Sequence, residues 1–200
     1  VTDPIKVGEI LRMFDSFSGT YQVKQALLLA PLVFARPGEL RNAKWKDIDL
    51  DACMWSLPAE SMKMGEPHLV PLSSQAVTIL KDMHPYSGHL EHVFPGARDP
   101  KRPMSDAAVN AAMRRLGIDT KNELTGHGFR AMARTILHER LNYSPEVIEV
   151  QLAHKVAGPL GAAYARAKFL DQRIKMMQAW SDYLDSLKKG GQVIPLLMAG

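Results

Sequence analysis

Two imidazoles, a guanidinium and a phenol fall within one stretch of the chain. Gly126-His127-Gly128-Phe129-Arg130 opens it, Leu152-Ala153-His154 follows, and Ala162-Ala163-Tyr164-Ala165-Arg166 closes it. These residue types suit an oxyanion and a nucleophile better than a metal. His127 and Arg130 stand three apart at the start of an expected helix, so both project from one side of its first turn. Free N–H groups and the helix dipole there already favour an anion. A guanidinium adds two parallel hydrogen bonds to phosphate oxygens. A tyrosine hydroxyl has an ordinary pKa near ~10, so only ~0.1% is phenolate at neutral pH, and roughly 4 kcal/mol of activation must come from cations or a base.

Other parts of the chain add to that set. Arg36, within Ala35-Arg36-Pro37-Gly38-Glu39-Leu40, supplies a second guanidinium for charge spread over nonbridging phosphoryl oxygens. Lys63 sits in the turn-rich Ser61-Met62-Lys63-Met64-Gly65-Glu66-Pro67 and could protonate a departing alkoxide. His154 ends an apolar helix and could donate to a phosphate oxygen. Each residue alone also has an ordinary reading: solvated first-turn cations at His127 and Arg130, a first-turn Arg36 paired with Glu39, a core-edge Tyr164, a helix-end His154 and a solvated turn lysine. His84, His89 and His92 lie in prolyl and glycyl surroundings without a Cys or an HExxH motif, which argues against a metal centre. Cys53 has no partner for nucleophilic work, and its apolar surroundings predict a buried thiol. No glycine-rich nucleotide loop is present.

The elements that must position these groups read as mostly α-helix with a small antiparallel sheet. Ile10, Leu11 and Phe14 recur at helical spacing after Pro4, and Val23, Ala26, Leu27, Ala30 and residues 32–34 mark a second, more buried helix. Arg36 precedes a proline, which places it at a bend before a new short helix. Residues 47–58 and 68–72 read as extended segments of a small sheet with Lys63 near its turn. A helix capped by Ser73 or Ser74 is expected to end at Pro85. Residues 85–104 read as a loop-rich connector long enough to be mobile. Further helices are expected from Ser105 to Leu116 with Gly117 as stop, over residues 128–141, and from a Ser144-Pro145-Glu146 start to about His154. The last helical region, residues 161–188, carries Leu170, Ile174, Met177, Leu184 and Leu187 as its apolar stripe, with Asp171 placed to cap a second segment after a break.

Two hundred residues, 46% of them hydrophobic, can bury a sizeable core, so one domain is expected. The net charge of +4, from 25 basic and 21 acidic residues, is compatible with an anionic partner without requiring one. A single cysteine excludes an internal disulfide and fits a reducing cytoplasm. No apolar run approaches the ~18 residues of a membrane span. The chain starts at Val1 rather than methionine, which suggests a piece of a longer protein.

Taken together, Arg36, Lys63 after a strand, His127-Gly128-Phe129-Arg130, Leu152-Ala153-His154 and Tyr164 ten residues later resemble the tyrosine recombinases, in the phage and genomic-island integrase branch. Arg102-Pro103-Met104-Ser105 and Met176-Met177-Gln178-Ala179-Trp180 extend the likeness over nearly the whole chain. The resemblance implies a single catalytic domain over residues 1–200, lacking N-terminal DNA-binding domains, with residues 189–200 as a flexible or docking tail. It implies site-specific cleavage and rejoining of double-stranded DNA at attachment sites, on the nucleoid of a bacterial cytoplasm, without metal, ATP or other cofactor. Arg36, Arg130 and His154 would hold the scissile phosphate, with Glu39 supporting the first arginine. His127 would assist proton transfer, Lys63 would protonate the leaving 5′-hydroxyl, and Tyr164 would attack to form a 3′-phosphotyrosyl link. A tetramer on DNA is implied, its tail around Val193-Ile194-Pro195-Leu196-Leu197 docking on a neighbour. The branch usually carries a basic residue shortly before the tyrosine, where this chain has Pro159-Leu160-Gly161. Other activities compatible with the same residues are DNA relaxation of the type IB topoisomerase kind and a DNA-binding regulator that does not cut.

Overall fold

In the computed structural model, which describes residues 1–62, 65–154 and 169–190, helices pack around one buried helix and are joined by a small three-stranded sheet. Helix α1 (Pro4–Asp15) is capped by the Asp3 side chain, which accepts from the Lys6 N–H at 2.9 Å, and turns Val7, Ile10, Leu11 and Phe14 inward. Helix α2 (Tyr21–Val33) is buried along most of its length. It packs against α1, against α4 (Ser74–Ser87), against α5 (Ala108–Arg115) and against the long C-terminal helix α8 (Leu170–Lys188). Helices α1 and α8 approach so closely at Gly8 that an added Cβ would meet the Leu187 carbonyl. The Arg12 guanidinium donates to the Leu187 and Lys188 carbonyls at 3.2 and 3.1 Å, satisfying orphan acceptors at the end of α8.

The expected sheet is present as an antiparallel meander of β1 (Ile48–Asp49), β2 (Met54–Leu57) and β3 (His68–Pro71), with Trp55 opposite Val70 and Leu57 opposite His68. Alternation sends Trp55 and Leu57 into the core and Ser56 outward. The β1–β2 turn is tied by Asp49, whose carboxylate accepts the Asp51 and Ala52 N–H groups. That turn carries Cys53 at φ 52° with its thiol exposed. The buried thiol read from its apolar neighbours is therefore wrong: Cys53 is a turn residue, and the strand begins one position later.

Five further expectations are corrected. Helix α4, capped by Ser73 as expected, passes through Pro85 and ends at Ser87. Buried Ser87 donates to the Val93 carbonyl at 2.7 Å and accepts from the Trp45 indole at 3.2 Å, so tertiary bonds hold the last turn. The connector after it is pinned, with Val93 and Phe94 fully buried and bridges pairing Lys44 with His92 and Pro95 with Pro103. Helix α5 starts at Ala108, because Ser105 spends its carbonyl and hydroxyl on a preceding turn. In α8, Ile174 is 46% exposed, and the buried stripe runs instead through Arg173, Met176, Met177, Trp180, Tyr183, Leu184 and Leu187. Asp171 lies in the first turn of α8, whose N-cap is Phe169.

Helices α3 (Pro37–Arg41), α6 (Gly128–Glu139) and α7 (Pro145–Gln151) carry the residues singled out by their chemistry. Ser144 caps α7 and Pro145 occupies its first position, as the sequence predicts. Gly117 has φ 85°, the left-handed geometry expected of a stop after α5. Among the described residues no helix is long and apolar enough to cross a membrane.

Candidate active site

The corner between α2 and α3 is the first part of the site. Phe34 ends α2 in the left-handed region at φ 35°, unusual for a bulky residue, and this turns its carbonyl toward α6. Two residues on, Arg36 is the N-cap of α3, just ahead of Pro37, whose fixed φ suits a first helical position. Glu39 is buried and accepts twice from Arg36, from the backbone N–H at 2.8 Å and from the guanidinium at 2.6 Å. The pairing of Arg36 with Glu39 is therefore present, as a part-buried clamp that fixes the arginine.

Arg130 comes from the first turn of α6 and is 9% exposed. Its guanidinium donates to the Phe34 carbonyl at 3.1 Å and to the Leu152 carbonyl at 2.5 Å, joining the α2–α3 corner to the end of α7. Burial, and then repulsion from the nearby Arg36 guanidinium, pushes Arg130 below the ordinary arginine range. Two guanidiniums close enough to repel in a part-buried place form an electrostatic demand for an anion. His127 stands at the N-cap of α6, exposed, with its carbonyl accepting the Arg130 N–H at 3.2 Å.

His154 lies beside this pair. Helix α7 ends in a Schellman turn: the Ala153 N–H donates to the Val150 carbonyl and the His154 N–H to the Glu149 carbonyl, with Ala153 left-handed at φ 50°. The His154 ring then has Nε2 3.4 Å from the Arg130 guanidinium and Nδ1 2.5 Å from the Glu149 carboxylate. Arg36, Glu39, Arg130 and His154 thus form one neighbourhood, with His127 at the head of the helix that supplies Arg130. Lys63 and Tyr164 lie outside the described residues, as do Pro159-Leu160-Gly161 and the 191–200 tail.

Several supporting side chains were not singled out from the sequence. Glu149 receives Arg134 on its second oxygen at 2.5 Å. Burial alone would raise its carboxyl, but the bonds from Arg134 and His154 outweigh that and hold it below the ordinary value. Behind α7, fully buried Arg173 donates to the Gln151 side chain at 2.8 Å and to the Leu69 carbonyl. The His68 ring donates from Nε2 to the Gln151 carbonyl at 3.0 Å. Burial, with Arg173 next and smaller contributions from Arg130 and Arg36, lowers His68 to about 3. The same ring is therefore within electrostatic reach of both site arginines, at the start of β3. Among the described residues no group of three or more His, Cys, Asp or Glu side chains is placed to hold a metal ion.

Residues 1–170 match the phage integrase family. The chain belongs to that family, the tyrosine recombinases. The integrase of Enterobacteria phage P4 is 41% identical over 190 residues, covering 88% of this chain and 43% of that protein. Prophage integrase IntA of Escherichia coli (strain K12) is 41% identical over 191 residues, 96% of this chain and 46% of the relative. The chain thus spans less than half the length of either. Among solved structures, an integrase from mycobacterium phage Brujita superposes with a TM-score of 0.66 at 16% identity, over 90% of this chain and 61% of that one. XerA recombinase gives 0.58 at 17% identity, over 86% and 61%. These two share the fold, mostly helical with a small antiparallel sheet.

Proposed function

We propose that this chain is the catalytic part of a longer site-specific recombinase that breaks and rejoins double-stranded DNA through a 3′-phosphotyrosyl intermediate. The observation that carries the proposal is the Arg130 guanidinium, fixed by two carbonyls from different parts of the chain, beside Arg36 and 3.4 Å from His154. In this reading Arg36, Arg130 and His154 cradle the nonbridging oxygens of a scissile diester. Charge develops on those oxygens in the transition state, so fixed cations there stabilise it more than the ground state.

The Tyr164 oxygen attacks phosphorus as its proton leaves, with His127 assisting the transfer. The P–O5′ bond breaks, and Lys63 gives its proton to the departing 5′-oxygen. One phosphodiester replaces another, so a second 5′-hydroxyl can reverse the step, expel the phenolate and reseal a strand without ATP. Glu39 holds Arg36 in place throughout. Four copies assembled on two attachment sites, each tail docked on a neighbour, would complete strand exchange.

A pool of nicked duplexes of randomised sequence, in which the short fragment released with a 5′-hydroxyl diffuses away, traps the intermediate. In EDTA the 200-residue chain is expected to become covalently attached to DNA, and Tyr164→Phe is expected not to. Attachment by Tyr164→Phe, or a requirement for divalent metal, would overturn the proposal.

A further inference from the structure

His154 is held from behind by a pair of charged groups that neither the motifs nor the family reading includes. Its Nδ1 lies 2.5 Å from one oxygen of Glu149, and the other oxygen of that carboxylate accepts from Arg134 Nε at 2.5 Å. The backbone repeats the tie, since the His154 N–H donates to the Glu149 carbonyl at 3.0 Å. Glu149 and His154 are thus locked together at both the main chain and the side chain, across the turn that ends α7.

The hydrogen-bonding roles follow from what each group can do. An ionised carboxylate only accepts, so Nδ1 carries a proton. A guanidinium only donates, so the Arg130 contact at 3.4 Å requires a lone pair on Nε2. The geometry thus fits the Nδ1–H tautomer, with Nε2 turned to Arg130. A phosphate oxygen entering between them needs a donor from Nε2, which means the imidazolium. Glu149 is placed to stabilise that cation, and Arg134 keeps the carboxylate ionised and aimed.

We propose that Glu149, supported by Arg134, is a positioning residue for phosphoryl transfer: it fixes the tautomer and orientation of His154 and balances the ring's positive charge when Nε2 donates to the scissile phosphate. This inference rests on the recombinase reading of the site. It adds to that reading an acidic partner for the histidine, analogous in logic to the carboxylate that orients a catalytic imidazole in hydrolase triads. The sequence signal is a glutamate five residues before the histidine, spaced so that a helix end and one reversing turn bring the two side chains together. Arg134, four residues after Arg130, lies on the same flank of α6. One helix therefore supplies both the phosphate ligand and the group that steadies its neighbour's support.

The test uses the full chain with Glu149→Leu, which removes the acceptor, and Glu149→Gln, which keeps an oxygen acceptor but no charge. Single-turnover cleavage of the nicked duplex pool is measured at saturating protein, DNA affinity is measured separately, and the tautomer is read from imidazole nitrogen-15 spectra of the free protein. Expected are a cleavage rate about 10- to 100-fold lower for Glu149→Leu at unchanged affinity, an intermediate rate for Glu149→Gln, and loss of the Nδ1–H form of His154 only in the leucine variant. A purely structural tie between α6 and α7 would lower the melting temperature while leaving rate and tautomer alone. Wild-type rates in both variants, with the tautomer unchanged, would overturn the inference. Failure of the recombinase reading shows separately, as adduct formation by Tyr164→Phe.

Discussion

Acid should loosen this protein through one buried imidazole before its carboxylates titrate. His68 is 8% exposed, donates to the Gln151 carbonyl, and has the fully buried Arg173 guanidinium 3.5 Å from the same nitrogen. Burial first and Arg173 second lower it to about 3, whereas the unfolded chain offers an ordinary histidine near ~6.5. The folded value is the depressed one, so the unfolded state takes up the proton first. Stability is therefore full above the unfolded value and falls with pH, by about 1.4 kcal/mol per pH unit, until the folded value is reached. Between pH 7 and pH 5 the loss from this group is roughly 2 kcal/mol. His68→Gln keeps an N–H for the Gln151 carbonyl but has no titration. Urea unfolding followed by the fluorescence of buried Trp55 and Trp180 should show wild type losing that much more stability over this interval than the variant. Parallel losses would refute the reasoning.

Arg130→Lys should lower the cleavage rate by two orders of magnitude or more and cost about 1–3 kcal/mol in urea titrations, because one ammonium cannot serve both the Phe34 and Leu152 carbonyls while gripping a phosphate. Ala153→Gly should raise stability by about 0.5–1 kcal/mol, since alanine is held at φ 50°, a conformation glycine adopts without penalty; a decrease in the thermal midpoint would contradict this. Lys63→Ala should be severely slowed on ordinary DNA and restored by a substrate with sulfur in place of the bridging 5′-oxygen, because a thiolate leaves without a proton; no restoration would remove the leaving-group acid from Lys63.

The helices were legible where periodicity and caps agreed. Ser73 before α4 and Ser144-Pro145 before α7 are local signals, and the structure uses both. The start of α3 at Arg36 followed from Pro37 in the same way. What stayed hidden depends on distant partners. Pro85 reads as a stop, yet Ser87 gains bonds to Val93 and Trp45 that outweigh the missing N–H. Arg173 interrupts an apolar stripe and is nevertheless fully buried, because Gln151 and Leu69 supply its acceptors. Ile174 next to it belongs to the stripe by type and to the surface by position. Arg36, Arg130 and His154, singled out by residue type and spacing, are brought into one neighbourhood. The two carbonyls that aim Arg130 were not legible, since main-chain acceptors leave no trace in side-chain identity. Glu149 and Arg134 were missed because their partnership depends on how α6 and α7 pack.

The central claim is that Tyr164 is the residue joined to DNA. Digestion of the trapped adduct with trypsin should release residues 156–166, a peptide in which Tyr164 is the only hydroxyl-bearing side chain. Mass spectrometry of that peptide after nuclease trimming should find the residual nucleotide on Tyr164, linked through its 3′-phosphate. Nucleotide on any other peptide, or a 5′-linkage, would contradict the account.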